Sequence, residues 1–352
     1  MRIRPRVPVL VLAFLVAALA VRPAWGQPAG LGTVAGRATG DDDGAPVAFA
    51  LVRLLPEGAG APKRTVLTDG RGAFRFEGVA PGAYRLQLER IGYTDETTEV
   101  FAVAAGETVE RGFRSAPRAV TIEAITTTAG ACYTAAELER DPELAALWRE
   151  AVKGMETRAA FDARYRYTFD LRQTAVMEPT RRHRRAVHDT LTRTFVNDPL
   201  AAPVDRGRRG FGTIDRREVT LDIPDGKELL TPGFLTQHCL ETASGEVEGA
   251  WELRFRPVRP RGGRVNLRGA VLVDAESFQL RALRLEYLSG RRRFMEATVH
   301  YQEARVSGGT VRLPAVALFS GRPPYPLSRT LRSVTGEALY TNYGNVERVD
   351  AP

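Results

Sequence analysis

The feature that most constrains the fold is a period-two alternation of apolar and polar residues, which turn residues interrupt about every ten positions. It is clearest in TDGRGAFRFEGVAPGAYRLQLERIGY, Thr68–Tyr93, where Phe74 and Phe76 alternate with charged residues and Leu86 and Leu88 repeat the pattern. Successive side chains of a strand point to opposite faces, so each apolar set shares one face. Short strands at this spacing predict an all-β sandwich.

Two dipeptides in the same segment predict tight turns. Asp69-Gly70 offers the positive-φ positions that a hairpin turn needs. Pro81-Gly82 fits a type II turn, in which Pro fixes φ at one position and Gly accepts a positive φ at the next. The segment therefore predicts strands and turns, and it contains no group that points to chemistry.

The strings GTVAGRATG, PVAFALVRLL, TDGRGAFRFEGVAPGAYRLQLERIGY and VAAGETVERGFR resemble the carboxypeptidase regulatory-like domain, a transthyretin-like β-sandwich. The resemblance extends from about Leu31 to Val120, and we expect this domain to occupy residues 27–124. Members of the family are non-catalytic modules that accompany peptidases, extend TonB-dependent receptors or occur near carbohydrate-binding sandwich folds. The resemblance implies a scaffold and leaves the ligand open.

The segment Ser115–Ala131 loosens into a linker, and the domain boundary is expected near residue 125; a helix is predicted after it. Thr134 with Glu137 fits a capping box, and Asp141-Pro142 fits an N-cap followed by the first helical residue. Apolar residues then recur at helical spacing, which predicts one apolar stripe. They are Leu144, Leu147, Trp148, Ala151, Val152 and Met155.

Beyond this helix the period changes to two. Tyr165, Tyr167 and Phe169 alternate with polar residues, and WELRFRPV, RRFMEATVHYQEARV and VRLPAVALFS continue the pattern. The string NLRGAVLVDAESFQLRALRLEYL predicts a hairpin that turns near Asp274–Ser277. The prediction for residues 125–352 is an α+β domain with a long curved antiparallel sheet and one packed helix, which makes the whole chain mainly β.

The order of helix, long strands and hairpin over residues 133–345 is similar to the half-barrel of periplasmic lipoprotein carriers and related lipid-binding proteins. That resemblance implies an acyl chain held between the sheet and the helix. The residues that would line such a groove are Leu144, Trp148, Tyr165, Tyr167, Phe169, Trp251 and Phe255. The same apolar stripes are equally typical of a solid core, and the pattern does not separate the two.

The N-terminus has the parts of a secretory signal peptide. Three Arg precede an apolar run from Val7 to Val21, and AWG follows before Gln27. The run is shorter than the roughly 20 residues that cross a bilayer. We therefore expect cleavage between Gly26 and Gln27, export across the inner membrane, no membrane segment in the mature chain, and a periplasmic or outer-membrane-associated protein.

Two cysteines, Cys132 and Cys239, remain in a chain expected to enter an oxidising compartment. A disulfide between them is the favoured interpretation, with two free thiols as the alternative. The bridge would close a loop of about 107 residues, for which chain entropy gives about 4–5 kcal/mol.

The charge balance argues against nucleic acid as a partner. The formal net charge is +8, but residues 1–26 carry four Arg and no acidic residue, which leaves about +4 for the mature chain. This small excess of positive charge for the length of the chain is not typical of a nucleic-acid-binding protein.

No motif for catalysis, metal binding or a cofactor is present. The chain lacks a GxSxG elbow, a phosphate-cradling glycine loop and an HExxH pair. His183 and His188 are five apart, which on a strand directs them to opposite faces, and His238 adjoins a cysteine expected to be bridged. We expect no catalytic residue, no metal and no cofactor.

The sequence thus predicts an exported, non-catalytic binding protein of the bacterial cell envelope, with a lipid or other apolar ligand in the second domain. The alternative is a carbohydrate-binding or protein-interaction module related to receptor extensions. An envelope hydrolase without a recognisable motif is the third hypothesis.

Overall fold

The computed structural model describes residues 30–58, 63–118, 132–134, 137, 142–180, 185–197, 210–215, 218–229, 231–242, 249–274, 279–306 and 309–349. The predicted signal peptide with its Gly26–Gln27 cleavage site lies outside these residues. So do the predicted domain boundary near residue 125, the N-cap Asp141 and His183.

The first domain is a sandwich of two sheets. Its strands are β1 Gly32–Gly40, β2 Leu51–Pro56, β3 Arg64–Leu67, β4 Ala73–Val79, β5 Gly82–Glu89, β6 Glu96–Thr97, β7 Phe101–Val103, β8 Thr108–Glu110 and β9 Phe113–Ser115. One sheet has the order β4-β1-β8, with β9 also paired to β1. The other has the order β3-β2-β5-β6, with β7 also paired to β5.

The alternating residues form the core between the two sheets, as predicted. Phe74 and Phe76 come from one sheet, Leu86 and Leu88 from the other, and all four side chains are buried with Val34 in one cluster. Burial of such side chains is the main source of the stability of a sandwich.

Neither of the two predicted turns has the predicted geometry. β3 pairs with β2 and β4 pairs with β1, so residues 68–72 connect the two sheets and close no hairpin. The positive φ falls on Gly72 (74°), while Asp69 Oδ1 accepts bonds from Arg71 N and Ala73 N at 2.9 and 2.8 Å. At the second predicted turn, Pro81-Gly82, Gly82 is the first residue of β5 and its φ is not positive. A dipeptide specifies a turn but not which sheet the next strand joins.

The second domain begins with one long helix. The helices are α1 Pro142–Arg164, α2 Gly226–Leu229 and α3 Pro232–Gln237. The strands are β10 Tyr165–Pro179, β11 Val187–Val196, β12 Gly212–Ile214, β13 Val219–Leu221, β14 His238–Thr242, β15 Ala250–Pro257, β16 Val265–Asp274, β17 Leu280–Ser289, β18 Arg292–Val306, β19 Gly309–Gly321 and β20 Leu331–Arg348. The α+β prediction is confirmed, and α2 and α3 are additions to it.

Nine of these strands form one antiparallel sheet in the order β11-β10-β20-β19-β18-β17-β16-β15-β14. The predicted hairpin is β16–β17, in which Asp274 N donates to Gln279 O at 2.9 Å. β12 and β13 form a separate two-stranded sheet.

One face of the sheet, called the inner face below, carries the apolar residues. Val271, Leu283 and Val299 lie there in adjacent register and are buried, while α1 adds Ala151 and Met155 to the same cluster. The opposite face carries charged residues such as Arg268, Arg284 and Glu286, together with a small buried apolar cluster of Ala250, Ala270, Leu272 and Ala282. The period-two pattern therefore directs the apolar side chains of the strands toward α1.

The segment before α1 is tied to the edge of the sheet. The disulfide joins Cys132 to Cys239 on β14, with Cα atoms 5.3 Å apart. Tyr133 and Leu240 exchange backbone hydrogen bonds of 2.9 and 2.8 Å. One bond of the predicted capping box is present, since Glu137 Oε2 accepts from Thr134 N at 2.8 Å. The Thr134 hydroxyl also donates to Glu137 Oε2 at 2.8 Å, and Glu137 N donates to the Thr134 carbonyl at 2.9 Å. Among the described residues no helix is long and apolar enough to cross a membrane.

Candidate functional site

The residues predicted to line a groove pack into two separate clusters. Trp251 and Phe255 are buried in the cluster beneath α1, and Trp148 packs against that cluster. Tyr165 and Tyr167 are buried in another cluster, to which Phe169 is peripheral. The side chain of the seventh predicted residue, Leu144, lies outside the described part of the chain.

The space between α1 and the sheet is filled. The free volume among Trp148, Met155, Phe234, Phe255 and their neighbours is about 10 Å³. That is close to the smallest space that holds one water molecule. Beneath α1 the described side chains therefore form a solid core, the other interpretation that the apolar pattern allowed, and leave no room for an acyl chain.

A large open space lies instead between the domains. α1 faces the β3-β2-β5-β6 sheet of the sandwich across a cleft of about 680 Å³, which we call the interdomain cleft. Its walls are Arg53, Lys63, Gln87, Glu89, Asp95, Ala145, Trp148, Arg149, Val152, Lys153 and Glu156.

Helical and strand periodicity bring these residues together. Trp148, Val152 and Glu156 follow at intervals of four on α1, so they lie on one side of the helix. On the sandwich, Arg53 is opposite Gln87 in register, and both point away from the core because their neighbours in the strands point into it. The polar outer face of one sheet thus meets a side of α1 that carries both apolar and charged residues.

Arg53 holds the two walls together. It donates to Glu89 Oε2 at 2.6 Å within the sandwich and also to Glu156 on α1. Its side chain is 11% exposed. Burial by itself lowers the pKa of Arg53, but the bonds to Glu89 and Glu156 outweigh that effect and raise the pKa. The guanidinium is therefore a fixed cation that links the domains.

Lys153 makes a second link of the same kind. Its Nζ lies 2.7 Å from Asp95 of the sandwich and 2.8 Å from Glu150 of α1. Burial lowers the pKa of Lys153, and the bonds to Asp95 and Glu150 raise it above its ordinary value. These two cations and their carboxylates position the cleft walls.

Other groups in the cleft remain available to a ligand. The indole of Trp148 is partly exposed, and Lys63 and Arg149 are exposed cations without an ion-pair partner among the described residues. Gln87 contributes an amide that both donates and accepts. The cleft combines one flat apolar surface with hydrogen-bonding groups of both kinds.

A buried polar network lies near the C-terminal end of α1. Arg158 Nε donates to Asp162 at 2.8 Å, and its Nη1 and Nη2 donate to Arg312 O at 3.0 Å and to the Tyr167 hydroxyl at 2.9 Å. Tyr167 in turn donates to Asp162 Oδ1 at 2.9 Å. Every polar atom named here has a partner, so the network stabilises the packing of α1 on β10 and β19.

The three described histidines lie apart from one another. His238 is buried with Nδ1 3.0 Å from Phe234 O and Nε2 3.1 Å from Leu267 O, and burial lowers its pKa. His188 and His300 are exposed on different strands. Within the described ranges no three His, Cys, Asp or Glu side chains converge on a point that suits a metal ion.

The sandwich has a recognised family. Residues 33–116 match the family model of the carboxypeptidase regulatory-like domain. This confirms the resemblance stated from the sequence, over nearly the same residues. A search of curated proteins found no match to the chain.

Three solved structures have a distant similarity to the chain. A "putative carbohydrate binding protein" from Bacteroides uniformis has 8% identity and a TM-score of 0.23, over 77% of this chain and 99% of its own. A LolA superfamily protein from Nitrosomonas europaea has 10% identity and a TM-score of 0.29, over 59% and 94%. A DUF3823 family protein from Parabacteroides merdae has 12% identity and a TM-score of 0.21, over 48% and 80%.

Sequence reasoning identified Trp148 but missed the site to which it belongs. The cleft residues of the regulatory-like domain, Arg53, Gln87 and Glu89, are separated from α1 by more than fifty positions in sequence. The local signal was the group of charged residues beside the apolar stripe of α1, which is also typical of a solvated helix face.

Proposed function

We propose that the chain is an exported, non-catalytic binding protein of the bacterial cell envelope and that its interdomain cleft binds an oligosaccharide. The observation that carries the proposal is the cleft of about 680 Å³ with Trp148 in its wall. Ligand sites occur preferentially between domains, and this volume lies within the usual range of about 300–1,000 Å³.

The chemistry of the cleft favours a ligand rich in hydroxyl groups. Each hydroxyl both donates and accepts a hydrogen bond, and the cleft offers carboxylates, cations and an amide at short range. The apolar face of a sugar ring is suited to the partly exposed indole of Trp148. An acyl chain is a poor fit here, because it would remove the exposed cations Lys63 and Arg149 from water without replacing their hydrogen bonds.

The second candidate function is the binding of an apolar ligand, at a surface of the sheet away from the interdomain cleft. Beyond α1 the inner face continues onto β10, β11, β19 and β20, where Leu171, Phe319 and Tyr340 are only partly buried. Leu191 and Phe195 of β11 are 39% and 37% exposed on the same face. This partly exposed apolar surface is the observation that favours a lipid ligand. The filled space beneath α1 does not favour one.

Export rests on the sequence features of residues 1–26. The expected mature chain begins at Gln27 and is periplasmic or associated with the outer membrane. N-terminal sequencing of the protein from fractionated cells tests this, and a chain that retains Met1 in the cytoplasm contradicts it.

The test of the binding function is retention of residues 27–352 on a glycan array. We expect binding to one class of oligosaccharide and a loss of at least about tenfold in affinity for Trp148→Ala. Arg149→Glu, whose side chain is exposed at the cleft wall, should weaken the same binding without loss of folding. Tyr325→Ala removes an aromatic ring that is 66% exposed elsewhere and serves as the matched control.

Two results would contradict the proposal. One is the absence of any retained glycan. The other is retention that Trp148→Ala and Arg149→Glu leave unchanged. A lipid-mass adduct in native mass spectrometry, released by organic solvent, would favour the second candidate.

A further inference from the structure

One edge of the nine-stranded sheet is open. β11 pairs with β10 and with no other described strand, and all ten of its residues are exposed. The opposite edge strand, β14, is partly covered by Tyr133, which bridges to Leu240, and by the disulfide. Long exposed edges are sites at which another strand pairs, and proteins normally protect them with Lys, Pro or bulges. β11, with the sequence VHDTLTRTFV, contains neither Lys nor Pro.

The direction of the backbone groups of β11 follows from its pairing. Asn197 N, just after β11, donates to Tyr167 O at 3.0 Å, so Asn197 directs its backbone groups toward β10. Because this direction alternates along a strand, Leu191 also directs its groups toward β10. The backbone groups that point to the open edge belong to His188, Thr190, Thr192, Thr194 and Val196.

The side chains on the inner face of β11 are arranged symmetrically about Leu191. Asp189 and Arg193 lie two residues before and after it, and Val187 and Phe195 lie two residues further out. Asp189 and Arg193 are exposed, and neither has an ion-pair partner among the described residues. One acid and one base at equal distances from a central apolar residue is a self-complementary pattern.

We infer that β11 pairs antiparallel with β11 of a second copy of this chain, about a twofold axis at Leu191. Leu191 then lies opposite its own equivalent, Asp189 opposite Arg193 of the second copy, and Val187 opposite Phe195. Since Leu191 directs its backbone toward β10, these are the non-hydrogen-bonded pairs, in which side chains approach most closely. Thr190 and Thr192 exchange backbone hydrogen bonds across the new edge.

Other registers lose this complementarity. A shift by one residue places inner-face side chains opposite outer-face ones. A shift by two in either direction places Asp189 opposite an apolar residue, and a shift by four places either two Asp189 or two Arg193 side chains opposite each other. The register centred on Leu191 is the one that pairs both charges.

The test is the mass of residues 27–352 in solution, from sedimentation velocity over a range of concentrations. We expect a dimer. Asp189→Arg and Arg193→Asp each place like charges opposite each other twice across the axis, and each should weaken the dimer at least about tenfold. The double variant restores opposite charges and should restore the dimer.

Two further variants complete the design. Arg166→Asp makes the same change of charge on an exposed side chain of β10, away from the edge, and should leave the dimer intact. Thr192→Pro removes an N–H that points to the open edge and should give a monomer, with circular dichroism to verify the fold. A wild-type monomer at every concentration would overturn the inference. So would a dimer that both single reversals leave unchanged, or a double variant that remains monomeric.

Discussion

Arg158 is a single charged residue on which three elements converge. Its guanidinium bonds to Asp162 of α1, to Tyr167 of β10 and to the backbone of β19, and its side chain is 15% exposed. Burial lowers the pKa of Arg158, but the nearby Asp162 carboxylate outweighs this and raises it. A buried cation of this kind contributes only when every partner is in place.

Removal of this guanidinium should therefore be costly. We expect Arg158→Met to lower the free energy of unfolding by about 3–5 kcal/mol, because Asp162 loses its buried counter-charge. Urea unfolding measures this. Arg166→Met, on an exposed position of β10, is the matched control and should change stability by less than about 0.5 kcal/mol. Equal effects of the two variants would show that Arg158 behaves as a surface residue.

The buried phenols around this network predict a loss of stability at alkaline pH. Burial raises the pKa of Tyr167, Tyr301 and Tyr343. Their stabilising contribution is complete below the unfolded pKa of about 10 and falls as the pH rises above it, because the unfolded chain releases protons that the folded chain retains. Absorbance at 295 nm should show a fraction of the tyrosines ionising only when the chain unfolds. Complete ionisation with the fold intact would contradict this.

At the scale of elements, α1 makes two contacts, one with the nine-stranded sheet and one with the sandwich. The sequence predicted only the contact with the sheet. Ala151 and Met155 lie on the predicted apolar stripe and pack on the sheet. Lys153 and Glu156 lie beside this stripe, where charge in a sequence predicts solvent, and in the structure they pair with the sandwich. Ion pairs between distant segments leave no local pattern, so only the first contact was predictable.

The strands were also predictable only where the sequence carries a local pattern. Those with clear alternation, such as β15 to β19, were predicted, whereas β11 and the 18-residue β20 were not. β20 contains Gly336, at which a Cβ would lie 2.2 Å from Thr174 O and 2.4 Å from the ring of Phe319. Its glycines and threonines weaken the apolar alternation, and pairing with β10, which is distant in sequence, places it in the sheet.

The disulfide fixes the segment before α1 to β14, and we expect its removal to be destabilising. For Cys132→Ser with Cys239→Ser, chain entropy predicts a loss of about 4–5 kcal/mol in the free energy of unfolding. Urea unfolding of the double variant measures this, and wild-type protein in reductant should reproduce it. A double variant within about 1 kcal/mol of oxidised wild type would contradict the entropic account.

At the scale of the molecule, the two domains share a core. Phe49 and Leu51 of the sandwich pack with Phe161 of α1 and Leu313 of β19, and the Phe49 and Phe161 rings are 6.1 Å apart. The sequence predicted the two domains because each has its own periodicity. It did not predict their contact, or the cleft beside it, because these depend on how the folded domains dock.

The shared core predicts that the domains unfold together. Calorimetry of the wild type should give one transition. Phe161→Ala, at a fully buried side chain, should cost about 3–5 kcal/mol and separate the transition into two, since the sandwich retains its own core. Two well-separated transitions in the wild type would show that the shared core does not couple the domains.

The interdomain cleft is proposed to bind an oligosaccharide, and the fluorescence emission of Trp148 measures that binding directly. The chain has three Trp; Trp25 lies in the predicted signal peptide, so Trp251→Phe in residues 27–352 leaves Trp148 as the only indole. This protein would be titrated with soluble muropeptides and with gluco-, manno- and xylo-oligosaccharides while tryptophan emission is recorded. We predict a saturable change of emission with one class of oligosaccharide, weakened by Arg149→Glu. Emission that no oligosaccharide changes, from a protein that circular dichroism shows to be folded, would contradict the account.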